Sequence, residues 1–166
     1  RHFSIDTDRV FVTGHFAGAT AAWDLALAHP DLWAGAILIS PGADKYIFHY
    51  LENISASARN PDQIPLGTYL VYGELDGTRS VSMMGSVATR QLNPNSTILY
   101  DALVVEYHGE GRVRFSSELP RIIEWMELSS HRRIRAKQNI SVRSMRQGDR
   151  FFYWLEAPSI SADLVG

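Results

Sequence analysis

The pattern of apolar and polar positions along the chain predicts alternating strands and helices. A short apolar run at 10–13 leads into Gly14, as expected for a buried parallel strand. Apolar residues then occupy almost every side of a helix over 17–29, which predicts a largely buried helix that ends at Pro30. A second apolar run, 34–40, predicts the next strand.

The same alternation continues through the middle of the chain. Further helices are predicted at 44–57, 81–92 and 117–128, with strands between them at 68–73 and 102–107. Four alternations of strand and helix are typical of an α/β fold in which helices cover both faces of a parallel sheet.

The last part of the chain has a different pattern. Apolar and polar residues alternate over 139–145, and an aromatic run occupies 151–155. Turn-forming residues at 147–149 separate these two segments, so we predict a β-hairpin appended to the sheet. The chain then divides into an α/β domain at 1–136 and a hairpin extension at 137–166.

Composition and charge argue against several classes of function but do not identify one. The 166 residues are enough for about one domain, and 45% hydrophobic with 20% charged residues is ordinary for a globular protein. The net charge of -2 gives no general attraction to nucleic acid or to an anionic membrane. The chain has no cysteine, and its histidines lack metal-ligand spacing. We therefore expect no cofactor, no metal, no nucleic acid and no membrane.

One short stretch carries the functional signal. Between the first predicted strand and helix the chain reads Gly14-His15-Phe16-Ala17-Gly18. Strand, G-x-S-x-G and helix form the nucleophile elbow of serine hydrolases, in which the central serine attacks the substrate. Here Phe16 holds the central position, and a phenyl ring has no nucleophilic atom.

The surrounding residues resemble the α/β-hydrolase superfamily, closest to its esterase and prolyl-oligopeptidase-like groups. The segment DTDRVFVTGH at 6–15 is similar to the elbow region of that family. Three later segments follow in the family order and are similar to the acid loop, the approach to the histidine and the closing helix: 72–76, 105–111 and 118–126. The resemblance covers about 5–128.

The resemblance implies a set of site residues. In the family a serine, an acid and a histidine follow in that chain order, and here these positions fall on Phe16, Asp76 and Arg112. The backbone N–H of Ala17 corresponds to the first oxyanion donor. Because arginine stays protonated, it cannot act as a base. The resemblance thus implies a degenerate site with a binding or structural role; the alternative is a fragment or altered form of an active serine esterase or peptidase.

Two further expectations follow from the resemblance. Strands that the family places before the elbow would precede Arg1, so the edge of the first strand would be open. We expect the chain to self-associate or to bind the missing amino-terminal segment. Arg112 is expected either to form a salt bridge with Asp76 or to point into solvent, and the sequence leaves both open. Ordinary loop or surface roles are expected for His15, His108 and other polar residues near these motifs.

Overall fold

The described part of the protein is an α/β structure. The computed structural model describes residues 4–42, 66–77 and 102–133, together with two short strands at 151–152 and 155–156. Its longer strands are β1 Phe11–His15, β2 Gly35–Ile39, β3 Gly67–Gly73 and β4 Ala102–Tyr107. Its α-helices are α1 Ala17–Ala28 and α2 Leu119–Glu127. The helices predicted at 44–57 and 81–92 and the strand predicted at 139–145 lie outside the described residues.

The four longer strands form one parallel sheet in the order β1-β2-β3-β4. The register sets Phe11 opposite Gly35, Gly35 opposite Gly67, and Thr68 opposite Ala102. Strands β2 and β3 are flanked on both sides, and every residue of β3 is buried. Their continuous apolar runs fit this position, since an interior strand of a parallel sheet is covered on both faces. The predicted parallel sheet is confirmed.

Apolar side chains cover both faces of the sheet. Because successive residues of a strand point to opposite faces, Leu70 and Val71 belong to different cores. Leu70 lies in the cluster that contains Trp23 of α1, and Val71 lies in the cluster that contains Trp125 of α2. The two helices therefore pack on opposite faces, as the sequence predicts. Four aromatic residues are buried in these cores: Tyr69, Tyr72, Phe115 and Trp125.

Two predicted features need correction. Strand β1 continues through Gly14 and His15, which pair in parallel with Leu38 and Ile39, whereas the sequence predicts an end before Gly14. Helix α1 buries one face only, because it lies on a single face of the sheet. Its exposed positions are mostly small, which explains how an apolar helix can face solvent: Ala17, Gly18, Ala21 and Leu25.

The start of α2 also differs slightly from the prediction. A 3-10 turn at Ser116–Glu118 precedes the helix, and Pro120 lies in the first helical turn, as expected. A proline there removes an N–H group that would have no partner within the helix. No helix among the described residues is long and apolar enough to cross a membrane.

Only the second half of the predicted carboxyl-terminal hairpin lies within the described residues. Strand β5 Phe151–Phe152 pairs antiparallel with β6 Leu155–Glu156, in a two-stranded sheet separate from the main sheet. The segment at 151–155 therefore belongs to two short strands, whereas the sequence predicts one strand there. Its predicted partner at 139–145 lies outside the described residues.

Candidate functional site

The turn between β1 and α1 has the strained geometry of an elbow. Phe16 has φ 62° and ψ -122°, a combination that glycine adopts far more readily than other residues. Its N–H donates to the Ile39 carbonyl oxygen at 2.9 Å, and its own carbonyl accepts the Thr20 N–H at 3.1 Å. Backbone contacts on both sides therefore hold this residue in its conformation.

Glycine at position 14 makes the turn possible. A Cβ on Gly14 would lie 2.2 Å from the carbonyl oxygen of Gly18, so no side chain fits between the end of β1 and the first turn of α1. Ala17 begins the helix, and no side chain caps its amino terminus. The first N–H groups of a helix lack partners within it. Ala17 thus stands where the resemblance expects an oxyanion donor, and that role stays a prediction.

Asp76 lies in the loop after β3 and is buried, with 3% of its surface exposed. One carboxylate oxygen, Oδ2, accepts the Gly73 N–H at 3.4 Å. The other oxygen, Oδ1, is buried and has no hydrogen-bond partner among the described residues. A buried acceptor without a donor is unfavourable, so the environment of Asp76 is incomplete.

The loops after β3 and β4 are held together by backbone contacts. The Glu74 N–H donates to the Tyr107 carbonyl at 3.0 Å, and the Leu75 N–H donates to the Glu110 carbonyl at 2.8 Å. A Cβ on Gly73 would lie 2.3 Å from that same Glu110 oxygen, which explains why glycine is needed there. His108 is exposed and lies 3.5 Å from Glu74, in agreement with a surface role.

Arg112 contacts the elbow directly. Its guanidinium carbon lies 4.1 Å from the centroid of the Phe16 ring, a cation–π contact. Its Nη2 atom lies 3.8 Å from the position that a Cβ would take on Gly77, the neighbour of Asp76. The structure therefore brings the three sequence-predicted positions, Phe16, Asp76 and Arg112, to the same end of the sheet.

Of the two alternatives that the sequence left open for Arg112, a salt bridge with Asp76 does not form in this structure. The guanidinium stacks on Phe16, while Asp76 Oδ1 has no partner. An aromatic ring at position 16 offers the cation an exposed face, which a serine could not. Neither Phe16 nor Arg112 carries an atom that can attack a carbonyl group or accept a proton.

Sequence reasoning gave too little weight to Ser40, which follows β2. It has φ 49°, is buried, and its hydroxyl oxygen has no hydrogen-bond partner. A serine before Pro41-Gly42 carries no motif, so the sequence offers no signal for it. Among the described residues, no group of three or more His, Cys, Asp or Glu side chains could hold a metal ion.

A second residue that sequence reasoning missed is Glu118, which is fully buried beneath the sheet. Its carboxylate accepts hydrogen bonds from the Tyr69 hydroxyl at 2.6 Å and from the Tyr107 hydroxyl. Arg121 lies 3.5 Å away. Burial raises the pKa of Glu118, but these hydrogen bonds and the Arg121 charge outweigh it and hold the pKa below its ordinary value. The network ties the start of α2 to β3 and β4.

Two of the solved structures that resemble this chain are hydrolases by description. A CIB-like hydrolase from Thermoplasma acidophilum is 17% identical over 75% of this chain, with a TM-score of 0.42. Esterase PE8 is 16% identical over 74% of this chain, with a TM-score of 0.48. The chain spans about half the length of each, 50% and 51% respectively. No protein-family model matches the chain, and no curated protein matches it significantly in sequence.

Proposed function

We propose that this chain is an α/β-hydrolase-like protein with a degenerate serine-hydrolase site and a non-catalytic binding or structural role. The observation that carries the proposal is the contact between Phe16 and Arg112 at 4.1 Å. These residues hold the positions that the resemblance assigns to the nucleophile and the base. The two residues lie together at the elbow. The arrangement therefore corresponds to a hydrolase site that lacks both its nucleophile and its base.

The elbow backbone supports the same proposal. Strain of the kind seen at Phe16 is unfavourable by roughly 1–3 kcal/mol and is found mainly at functional sites. In a serine hydrolase such a turn exposes the nucleophile above the sheet. Exposure gives a phenylalanine no catalytic role, so we explain the strained turn as inherited from a serine hydrolase.

The direct test is covalent labelling with a fluorophosphonate probe, together with turnover of p-nitrophenyl acetate. We expect neither labelling nor turnover above buffer, because loss of triad members lowers rates by on the order of 10⁴ to 10⁶. Phe16→Ser alone should also stay unlabelled, because Arg112 cannot remove the proton of the new hydroxyl. The double variant Phe16→Ser/Arg112→His supplies both groups and should label slowly.

The alternative is that the chain is a fragment or altered form of an active serine esterase or peptidase. Labelling of the unmodified chain at any serine would favour this alternative and overturn the proposal. Ser40 is the residue to inspect first in that event, since its hydroxyl is buried near the same sheet edge without a partner. Self-association through the edge strand β1 stays a prediction, to be checked by light scattering.

A further inference from the structure

Several unfavourable features coincide at the carboxyl end of the sheet. Phe16 is strained, and its side chain is 40% exposed although it is apolar. Asp76 is 3% exposed, yet its Oδ1 has no donor. A strained residue and an unpaired buried acceptor each cost roughly 1–3 kcal/mol. Concentration of such costs in one place is typical of a site that binds a ligand.

The two charged side chains suggest what such a ligand carries. One face of the Arg112 guanidinium lies on Phe16, which leaves the N–H groups at its edge directed elsewhere. A carboxylate matches that edge, because two parallel N–H donors meet its two oxygens. Asp76 Oδ1 needs a hydrogen-bond donor, and an ammonium group provides one with the complementary charge. The pair therefore fits a ligand with both groups.

Gly77 connects the two side chains. Arg112 Nη2 lies against Gly77, which directly follows Asp76 in the chain, but the guanidinium does not pair with the carboxylate. An α-amino acid carries its carboxylate and its ammonium group on the same carbon atom, so a single small ligand offers a partner to each of the two side chains. Gly77 is exposed and has no side chain of its own.

The neighbouring loops favour a neutral zwitterion with an apolar side chain. Glu74 and Glu110 are exposed near Asp76, so these carboxylates repel a ligand that carries only a negative charge. Arg112 repels a ligand that carries only a positive charge. Apolar surface is provided by Phe16 and by Leu75, which is 66% exposed in the adjacent loop. Apolar surface combined with a few charged or polar groups is the usual composition of a small-molecule site.

We infer that the site formed by Phe16, Asp76 and Arg112 binds a free α-amino acid with an apolar side chain. Its carboxylate pairs with Arg112, its ammonium group donates to Asp76 Oδ1, and its side chain packs on Phe16. The guanidinium turns away from Gly77 to admit the ammonium group, and no covalent bond forms. The inference rests on the proposed non-catalytic function and names a ligand class for the same site.

The test is a titration followed by NMR chemical shifts or calorimetry with three probes that share a phenyl ring. L-Phenylalanine carries both charges, 3-phenylpropionate only the carboxylate, and 2-phenylethylamine only the ammonium group. We expect L-phenylalanine to bind with a Kd of about 1 mM or below, at least about tenfold tighter than either other probe. Equal affinities for the three probes, or no saturable binding up to about 20 mM, would overturn the inference.

Variants locate the site. Arg112→Met keeps the apolar stem and removes the charge, so L-phenylalanine should bind about tenfold or more weakly, at the level of 2-phenylethylamine. Arg114→Met is the matched control, because Arg114 is an exposed arginine two residues away, and it should leave the affinity unchanged. Asp76→Asn should weaken binding of both amines. Equal losses from Arg112→Met and Arg114→Met would place the ligand elsewhere. Ester turnover or labelling would overturn the proposed function and leave these affinities as a separate result.

Discussion

The sharpest stability prediction compares two tyrosines on the same strand. Tyr69 and Tyr72 both lie on β3, both are buried, and both donate a hydroxyl hydrogen bond of 2.6 Å to a glutamate. Their acceptors differ: Glu118 is fully buried, whereas Glu106 is exposed. Replacing each tyrosine by phenylalanine keeps the ring in its own core cluster and removes one hydrogen bond, so the main difference between the two variants is the burial of the acceptor.

The expected loss in unfolding free energy depends on whether water can replace the lost hydroxyl donor. After Tyr69→Phe, Glu118 keeps the Tyr107 hydroxyl and the Arg121 charge, but water does not readily reach a fully buried carboxylate. A hydrogen bond to a charged group is worth about 1.5–3 kcal/mol, and most of that should be lost. After Tyr72→Phe, water can solvate Glu106, so the loss should stay under about 1 kcal/mol.

Urea unfolding, followed by tryptophan fluorescence, measures the difference. With a slope of about 2 kcal/mol per molar urea, Tyr69→Phe should lower the midpoint by about 1 M, whereas Tyr72→Phe should lower it by less than about 0.5 M. The slopes should stay equal if both variants keep the same fold. Equal midpoints for the two variants would refute the reasoning, since acceptor burial would then have no effect on stability.

Two other predictions concern Glu118 and the elbow glycines. The pKa of Glu118 is lowered in the folded protein, so its contribution to stability is fully present above the ordinary pKa of 4.5 and is lost as the pH falls through the folded pKa. In an acid titration, the difference in unfolding free energy between the unmodified chain and Glu118→Gln should therefore become smaller below pH 4.5. Gly14→Ala should lower the thermal midpoint strongly, because its Cβ would lie 2.2 Å from the Gly18 carbonyl oxygen. Gly18→Ala has no atom within 4 Å of its Cβ and should be neutral or stabilising by up to about 1 kcal/mol; a similar loss in both variants would contradict the packing argument.

The sequence predicts β3 well because this strand is interior in the sheet. Every residue of β3 is buried, so a continuous apolar run was required, and the prediction missed only Gly67. Strand β4 matches its predicted bounds, 102–107. The end of β1 was misplaced because Gly14 is usually read as a breaker. Here it stays in the strand, since α1 begins so close by that only a residue without a Cβ fits.

The site was predicted less completely than the sheet. Chain order and spacing identify Phe16, Asp76 and Arg112 as candidates, but they do not decide which partner Arg112 takes. That choice depends on three-dimensional competition between an aromatic face and a carboxylate, which no pattern of residue types encodes. Glu118 was missed for a similar reason. A glutamate near the start of a helix is usually a surface residue, and no sequence pattern indicates that the hydroxyls of Tyr69 and Tyr107, on two different strands, donate to it.

The strained turn at residue 16 is fixed independently of its side chain. Contacts that fix residue 16 involve backbone atoms: its N–H donates to the Ile39 carbonyl, and its carbonyl accepts the Thr20 N–H. The close approach that requires a sharp turn is between Gly14 and Gly18, on either side of it. None of these contacts depends on the side chain at position 16. The strained backbone therefore persists with a phenyl ring at this position, and the exposed ring face is available to the guanidinium of Arg112.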